Sequence, residues 1–294
     1  MTLNFSEDRS KLVALLFQTE AFQVCPQGEP FWYTSGTIGP YFINTHYLYG
    51  SKGKAEELLN FIEDVKGDKD HLSELIFEKV LENYDENDIF HTVIDELVDL
   101  IKKKENIDSI DYISGGERRD WFFSIIVAYI LKKSHITIFK DMAAIVWDST
   151  TRKQFPINHK HPLKDKKILH IADLVTEASS YERVWIPAIK KVEAKMISTF
   201  VIIDRMQGGR ELLENHNVHL SSLIDIDISL FKSALDLGLI GGEQLDMLKD
   251  YFVNPFEAMK KFLVNNPDFL ERSLKSNEKN KERAELCVRN KIYE

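Results

Sequence analysis

The stretch KILHIADLVTEASSY (167–181) runs from a short apolar segment to one acid, Asp173, and then sets Thr176, Ser179 and Ser180 at the start of a helical pattern. A helix N-terminus carries unpaired N–H groups and the positive end of the helix dipole, so it suits an anion. The three hydroxyls add donors, and Asp173 stands at the C-terminal end of a strand, where open α/β sheets place their ligand groups. Together they outline a phosphate site that lacks glycine. The plainer alternative is a helix cap, in which Ser179 or Ser180 closes the helix and nothing binds.

Two other stretches share this plan. In YISGGERRDWFFS (112–124) a strand runs into a glycine pair, and Arg118 and Arg119 are expected in the first turn of the next helix. Cations there oppose the helix dipole, so a neighbouring anion would make sense of them. In VIIDRMQGGRELLE (201–214) Arg205 and Arg210 flank a glycine turn and could grip a carboxylate or phosphate through paired N–H groups. The alternative in both cases is solvated arginines on an ordinary strand–turn–helix. Three such turns on one sheet edge would open on one cleft.

The elements that must position these turns are readable from periodicity. Apolar, β-branched runs at 110–114, 135–140, 167–172, 198–204 and 218–224 predict buried strands, with helices at 119–133, 180–195 and 208–216 between them. That alternation predicts an α/β fold, a parallel sheet flanked by helices. Residues 20–50 are aromatic and rich in Gly, Pro and Thr, which predicts a strand-and-loop hood. Residues 54–105 carry helical periodicity with breaks near Gly67–Asp68 and Asp85–Asn87. Residues 241–294 are also helical, with breaks near Pro255 and Pro267. Both segments need a partner surface for their apolar stripes.

Composition narrows the function classes. The formal net charge of -9 argues against general binding to nucleic acid or to an anionic membrane surface. The longest apolar run, 121–131, is too short to span a bilayer, and the N-terminus lacks the pattern of a signal peptide. Cys25 and Cys287 have no partner at zinc spacing and are expected as free thiols, which suits the cytoplasm.

The order of these motifs resembles the type I phosphoribosyltransferases, specifically orotate phosphoribosyltransferase. YTSGTIGPYFIN (33–44) is similar to the family's N-terminal hairpin, and 113–131 to its diphosphate loop and following helix. Residues 168–181 resemble the diphosphoribosyl-binding signature, and 201–224 the family's Asp-Arg…Gly-Arg strand–helix–strand. The chain departs from the family's pattern in several places. Ala172 stands where the family has the first of two acids, Ala178 and Ser179 replace a glycine pair beside Glu177, and Thr34 and Thr37 replace a lysine and an arginine in the hood. The family's mobile loop would begin at Lys140, but 141–166 does not reproduce it; Arg152, Lys153, His159, Lys160 and His161 could substitute, and His159 and His161 could also hold a metal.

The resemblance implies a domain over 1–240 carrying a helical insertion at 54–105, then a helical extension at 241–294. It implies transfer of a phosphoribosyl group from phosphoribosyl diphosphate to a pyrimidine base such as orotate, with magnesium, in a homodimer. Asp173 and Lys140 would be catalytic, with Asp173 on a ribose hydroxyl. Thr176, Ser179 and Ser180 would hold the 5′-phosphate, Arg118 and Arg119 the diphosphate, and Arg205 or Arg210 the base. The alternative is a catalytically degenerate protein of the same fold that binds a nucleotide or regulates a partner.

Overall fold

In the computed structural model residues 5–157 and 163–293 are described. His159, Lys160 and His161 lie outside them. The chain divides into two compact units, residues 45–226 and residues 1–44 together with 227–294. The division falls at 226/227, whereas the sequence reading places a boundary at 240.

The discontinuous unit begins with helix α1 (Phe5–Gln18) and the short strands β1 (Phe22–Val24), β2 (Phe31–Trp32), β3 (Ile38–Gly39) and β4 (Tyr41–Ile43). β1 pairs antiparallel with β4, and β2 with β3, which makes the expected hood of nested hairpins.

The second unit starts with three helices, α2 (Lys52–Val65), α3 (Leu72–Glu86) and α4 (Asp88–Lys104). Their ends follow local chemistry. Ser51 caps α2 by accepting from the Lys54 N–H, and Asn87 stops α3 and caps α4 through the Ile89 and Phe90 N–H groups. Along α4 the buried side chains recur at helical spacing, from Phe90 through Val93, Ile94, Leu97 and Val98 to Ile101. Lys102, Lys103 and Lys104 close its last turn, where cations are favoured.

The sheet follows: β5 (Tyr112–Gly116), α5 (Trp121–Ile130), β6 (Ser134–Ile138), β7 (Ala144–Asp148), β8 (Lys153–Pro156), β9 (Lys167–Val175), α6 (Ile186–Lys191), β10 (Lys195–Asp204), α7 (Gly209–Asn215) and β11 (His219–Asp225). Its order is β11-β10-β9-β5-β6-β7-β8. The five strands expected from the sequence pair in parallel, but the sheet as a whole is mixed, because β7 and β8 add an antiparallel hairpin beside β6. That hairpin occupies part of the stretch read as a loop. Ile145, Val146 and Trp147 bury against the rest, and Asp148 turns the chain by accepting from the Thr150 and Thr151 N–H groups. One core gathers α6 and α7 on the sheet through Ile136, Ile168, Ile186, Ile189, Val201 and Leu213. α3 and α4 pack on α5, where Phe77 meets Tyr129 at 4.8 Å and Phe90 meets Phe123 at 6.0 Å.

The chain then returns to the first unit with α8 (Ile228–Asp236), α9 (Gly242–Val253), α10 (Pro255–Asn265), α11 (Pro267–Leu274) and α12 (Glu278–Arg289). Pro255 and Pro267 each open a helix, where a missing N–H is no loss. These helices hold the hood. The Trp32 indole stacks on Phe269 and donates to the Ser273 hydroxyl at 2.9 Å, while Arg283 donates to the Trp32 carbonyl at 2.6 Å. Cys25 and Cys287 are buried free thiols, and burial pushes the Cys25 thiol up to about 12. No helix among the described residues is long and apolar enough to cross a membrane.

Candidate functional site

The site begins where two neighbouring strands part. β5 and β9 pair only from Tyr112↔Ile168 to Ser114↔His170. Beyond that, β5 runs on to Gly116 and β9 to Val175 without meeting again. The gap opens into a cavity of about 360 Å³ that is lined by the turns following both strands. Arg118, Arg119, Lys140, Asp173, Thr176, Ser179 and Ser180 all line it. Residues from two of the three turns singled out in the sequence thus meet in one space.

The arginine turn differs in detail from the expectation. α5 starts at Trp121, so Arg118 and Arg119 precede the helix and lie in the turn 117–120, which contains a cis Glu117–Arg118 peptide. The turn is closely seated. A Cβ on Gly116 would come within 2.3 Å of the Trp185 indole, so only glycine fits. Arg118 pairs with Glu63 on α2, and the Glu117 carboxylate accepts from the Lys140 backbone N–H at 3.0 Å. These contacts tie the turn to α2 and to the residues after β6.

The hydroxyl turn answers the cap alternative. The helix after Ser180 opens with a π turn, Tyr181–Trp185, and no side chain caps it. The hydroxyls of Thr176, Ser179 and Ser180 accept or donate no hydrogen bond among the described residues. Ala178 takes the left-handed conformation at φ +56°, the geometry a glycine would supply without strain. The backbone of a glycine turn is therefore kept after the glycine is gone. Glu177 also lines the cavity and adds negative charge to it.

The third turn goes elsewhere. Neither Arg205 nor Arg210 lines the cavity. Arg210 donates to the buried Asp204 carboxylate at 2.9 Å and to the Leu220 carbonyl at 2.9 Å, and lies 3.8 Å from Asp225. A buried carboxylate binds a guanidinium strongly because leaving either alone would be costly. Arg210 is thus a clamp between β10 and β11, outside the cavity that the other two turns share. The turn instead braces the hydroxyl turn, as the Gly209 N–H donates to the Thr176 carbonyl at 2.9 Å.

Sequence reading missed Asp120 and His170. Asp120 is buried, and its two oxygens accept from the Gly116 N–H and the Asp173 N–H, each at 3.1 Å. Burial is the main cause that pushes the Asp120 and Asp173 carboxyls upward; the Asp120 charge raises Asp173 further, whereas the Asp173 and Gly116 N–H groups hold Asp120 down, and Arg119 offsets part of the rise in both. Asp173 keeps part of its surface open to the cavity, so cavity water moderates its share. His170 is buried, takes the Ser114 hydroxyl on Nδ1 at 2.9 Å, and places Nε2 3.8 Å from Asp120. Burial pushes it down to about 3, so the ring is neutral. A lone polar residue in the apolar run ILHIA was the signal for His170.

The arrangement of strands, helices and cavity defines a protein with the type I phosphoribosyltransferase fold. Two solved structures carry the comparison. One is UMP synthase from Leishmania donovani, similar at a TM-score of 0.55 and 13% identity over 84% of this chain; the chain spans 42% of that protein's length. The other is orotate phosphoribosyltransferase from Francisella tularensis, at a TM-score of 0.52 and 14% identity over 82% of this chain and 96% of that one. No family model matches the sequence, and no curated protein matches it. At these identities the likeness is one of fold.

Proposed function

We propose that this protein transfers a phosphoribosyl group from phosphoribosyl diphosphate to a pyrimidine base such as orotate. One observation carries the proposal: a single cavity joins Arg118, Arg119 and Lys140 to Asp173 and to the hydroxyls of Thr176, Ser179 and Ser180, which have no hydrogen-bond partner among the described residues. Cations suit the leaving diphosphate, and hydroxyls with free backbone N–H groups suit the 5′-phosphate. Asp173 would meet the ribose between them. Such a site works by positioning the reactants and by stabilising charge as the bond to the leaving group breaks. Among the described residues no cluster of His, Cys, Asp or Glu side chains is built to hold a metal. Magnesium would therefore arrive on the diphosphate oxygens, as it commonly does in phosphate sites. The choice of base rests on the likeness to an orotate enzyme, since neither Arg205 nor Arg210 faces the cavity.

A second reading, a binding protein without turnover, is favoured by Ala172 in place of an acid and by Glu177 on the phosphate side. Calorimetric titration with magnesium phosphoribosyl diphosphate, orotate and their nucleotide product, followed by an assay of diphosphate release, separates the two. Saturable binding with release supports transfer. Binding without release supports the second reading, and absence of binding overturns both.

A further inference from the structure

Helix α2 belongs to the segment that lies outside the resemblance to phosphoribosyltransferases, yet it reaches the rim of the cavity. Its buried stripe of Ala55, Leu58, Leu59 and Ile62 seats the helix. Glu63 follows at the edge of that stripe, and its carboxylate accepts from the Arg118 guanidinium. Lys66, on the next turn, donates to the same carboxylate. The Lys66 hydrogen bond is the first cause that holds the Glu63 carboxyl below its ordinary value, and the Arg118 charge adds to it. Past the end of α2, Lys69 lies over the Phe139 ring at 4.7 Å, beside Lys140. The end of α2 and the corner after it thus meet the cation-bearing rim at two places.

Three cations line the cavity, Arg118, Arg119 and Lys140. Among the described residues the Arg119 and Lys140 side chains make no hydrogen bond or ion pair, whereas Arg118 is held by Glu63. The bond engages Nη1 alone, so Nε and Nη2 keep their N–H groups for a ligand. Glu63 itself does not line the cavity. Both partners are half-buried, and an ion pair this open to solvent adds little to fold stability. Its consequence is for the aim of Arg118. An arginine that is already fixed loses less rotamer freedom when it grips an anion.

We infer that Glu63 is a positioning residue, by which the added helix α2 aims Arg118 at the diphosphate of the proposed substrate. It acts through Arg118 and does not touch the ligand. The inference deepens the proposed function and rests on that reading for its ligand, but the hold on Arg118 can be measured without any ligand.

The first test is arginine nitrogen NMR of the ligand-free chain, which reads rotation about the Arg118 Nε–Cζ bond; the signal is assigned by its loss in Arg118→Lys. Rotation should be hindered in the wild type and free in Glu63→Ala, a substitution that suits a helix. The second test is calorimetric binding of magnesium diphosphate. Arg118→Ala should weaken it at least about tenfold, since a charged hydrogen bond to the anion is lost. Glu63→Ala should weaken it about two- to tenfold, the cost of ordering one long side chain on binding. Glu63→Gln keeps an acceptor oxygen and should restore most of that loss. In an Arg118→Ala background Glu63→Ala should change nothing further, whereas a merely structural role would persist there. Tighter binding by Glu63→Ala would make Glu63 a competitor for Arg118 and overturns the inference. So do additive losses in the double variant, binding that Arg118→Ala leaves unchanged, and an Arg118 signal that Glu63→Ala does not alter. Diphosphate that fails to bind the wild type counts against the proposed function, and the ligand-free signal then decides the role of Glu63 alone.

Discussion

Ala178 and Arg210 show what single residues could and could not disclose. The gathering of the Thr176, Ser179 and Ser180 hydroxyls at a helix start was legible from their spacing, with a helix cap left open as the alternative. That Ala178 would keep a glycine's backbone was not legible, since φ is imposed by the turn that Gly209 braces. The clamp made by Arg210 was not legible, because its partners, Asp204 and Asp225, come together only when β10 and β11 pair. Two outcomes belong to this scale. A Thr176→Ala, Ser180→Ala variant should bind phosphoribosyl ligands at least about tenfold more weakly by calorimetry, since a hydroxyl bond to a charged ligand contributes roughly 1.5–3 kcal/mol. Unchanged binding would mean that these hydroxyls do not touch the ligand. Fold stability should also peak near neutral pH. His46, His135 and His170 are pushed down to about 3 by burial, so the unfolded chain binds more protons below its ordinary histidine value, and stability rises with pH up to there. The Asp120–Asp173 pair is shifted upward, so the folded chain binds more protons, and stability falls as pH climbs through the pair's own range. That decline should approach ~1.4 kcal/mol per pH unit while one proton leaves and should level off above about pH 8, and Asp120→Asn should reduce it in urea melts across pH.

At the scale of elements, hydrophobic period located the five parallel strands and the helices of both added segments to within a few residues. The hairpin β7–β8 escaped because its apolar run is short and its second strand is half exposed, with Lys153 and Pro156 open to solvent. Only its partners reveal it. Gln154 accepts from the Ser73 N–H at 2.9 Å, and the Trp147 indole donates to Glu74 at 2.8 Å, so α3 and the hairpin define each other. Phe77 sits at their junction, fully buried, 4.8 Å from both the Trp147 and Tyr129 rings. Phe77→Ala should cost about 3–5 kcal/mol in denaturant unfolding followed by tryptophan fluorescence. A cost under about 1 kcal/mol would show that α3 is not part of the sheet unit's core.

For the whole molecule, the charge of -9 says little about the site, where Arg118, Arg119 and Lys140 share one cavity with Glu117, Asp120, Asp173 and Glu177. The division into units was also hidden in the sequence, since it depends on which distant segments share a core. Phe22 and Tyr41 from the hood meet Phe231, Tyr251 and Phe252 from the chain's last third. Removing residues 267–294 should therefore expose Trp32, which loses Phe269, Ser273 and Arg283, and red-shift its emission. An unshifted spectrum would mean that the hood stands without α11 and α12.

The Trp32–Ser273 bond joins residues 241 apart in sequence. On a ribosome adding roughly 5–20 residues per second, the hood's aromatic strands wait on the order of 10–50 seconds for α11 to be made. The intervening unit, 45–226, has by then left the exit tunnel with all its strands and can close first. The beginning of this chain is thus among the last parts to become native. Arrested nascent chains ending before residue 267 should be cut by protease within residues 20–44 while 45–226 resists, and for that interval the exposed hood is the natural client of a holding chaperone.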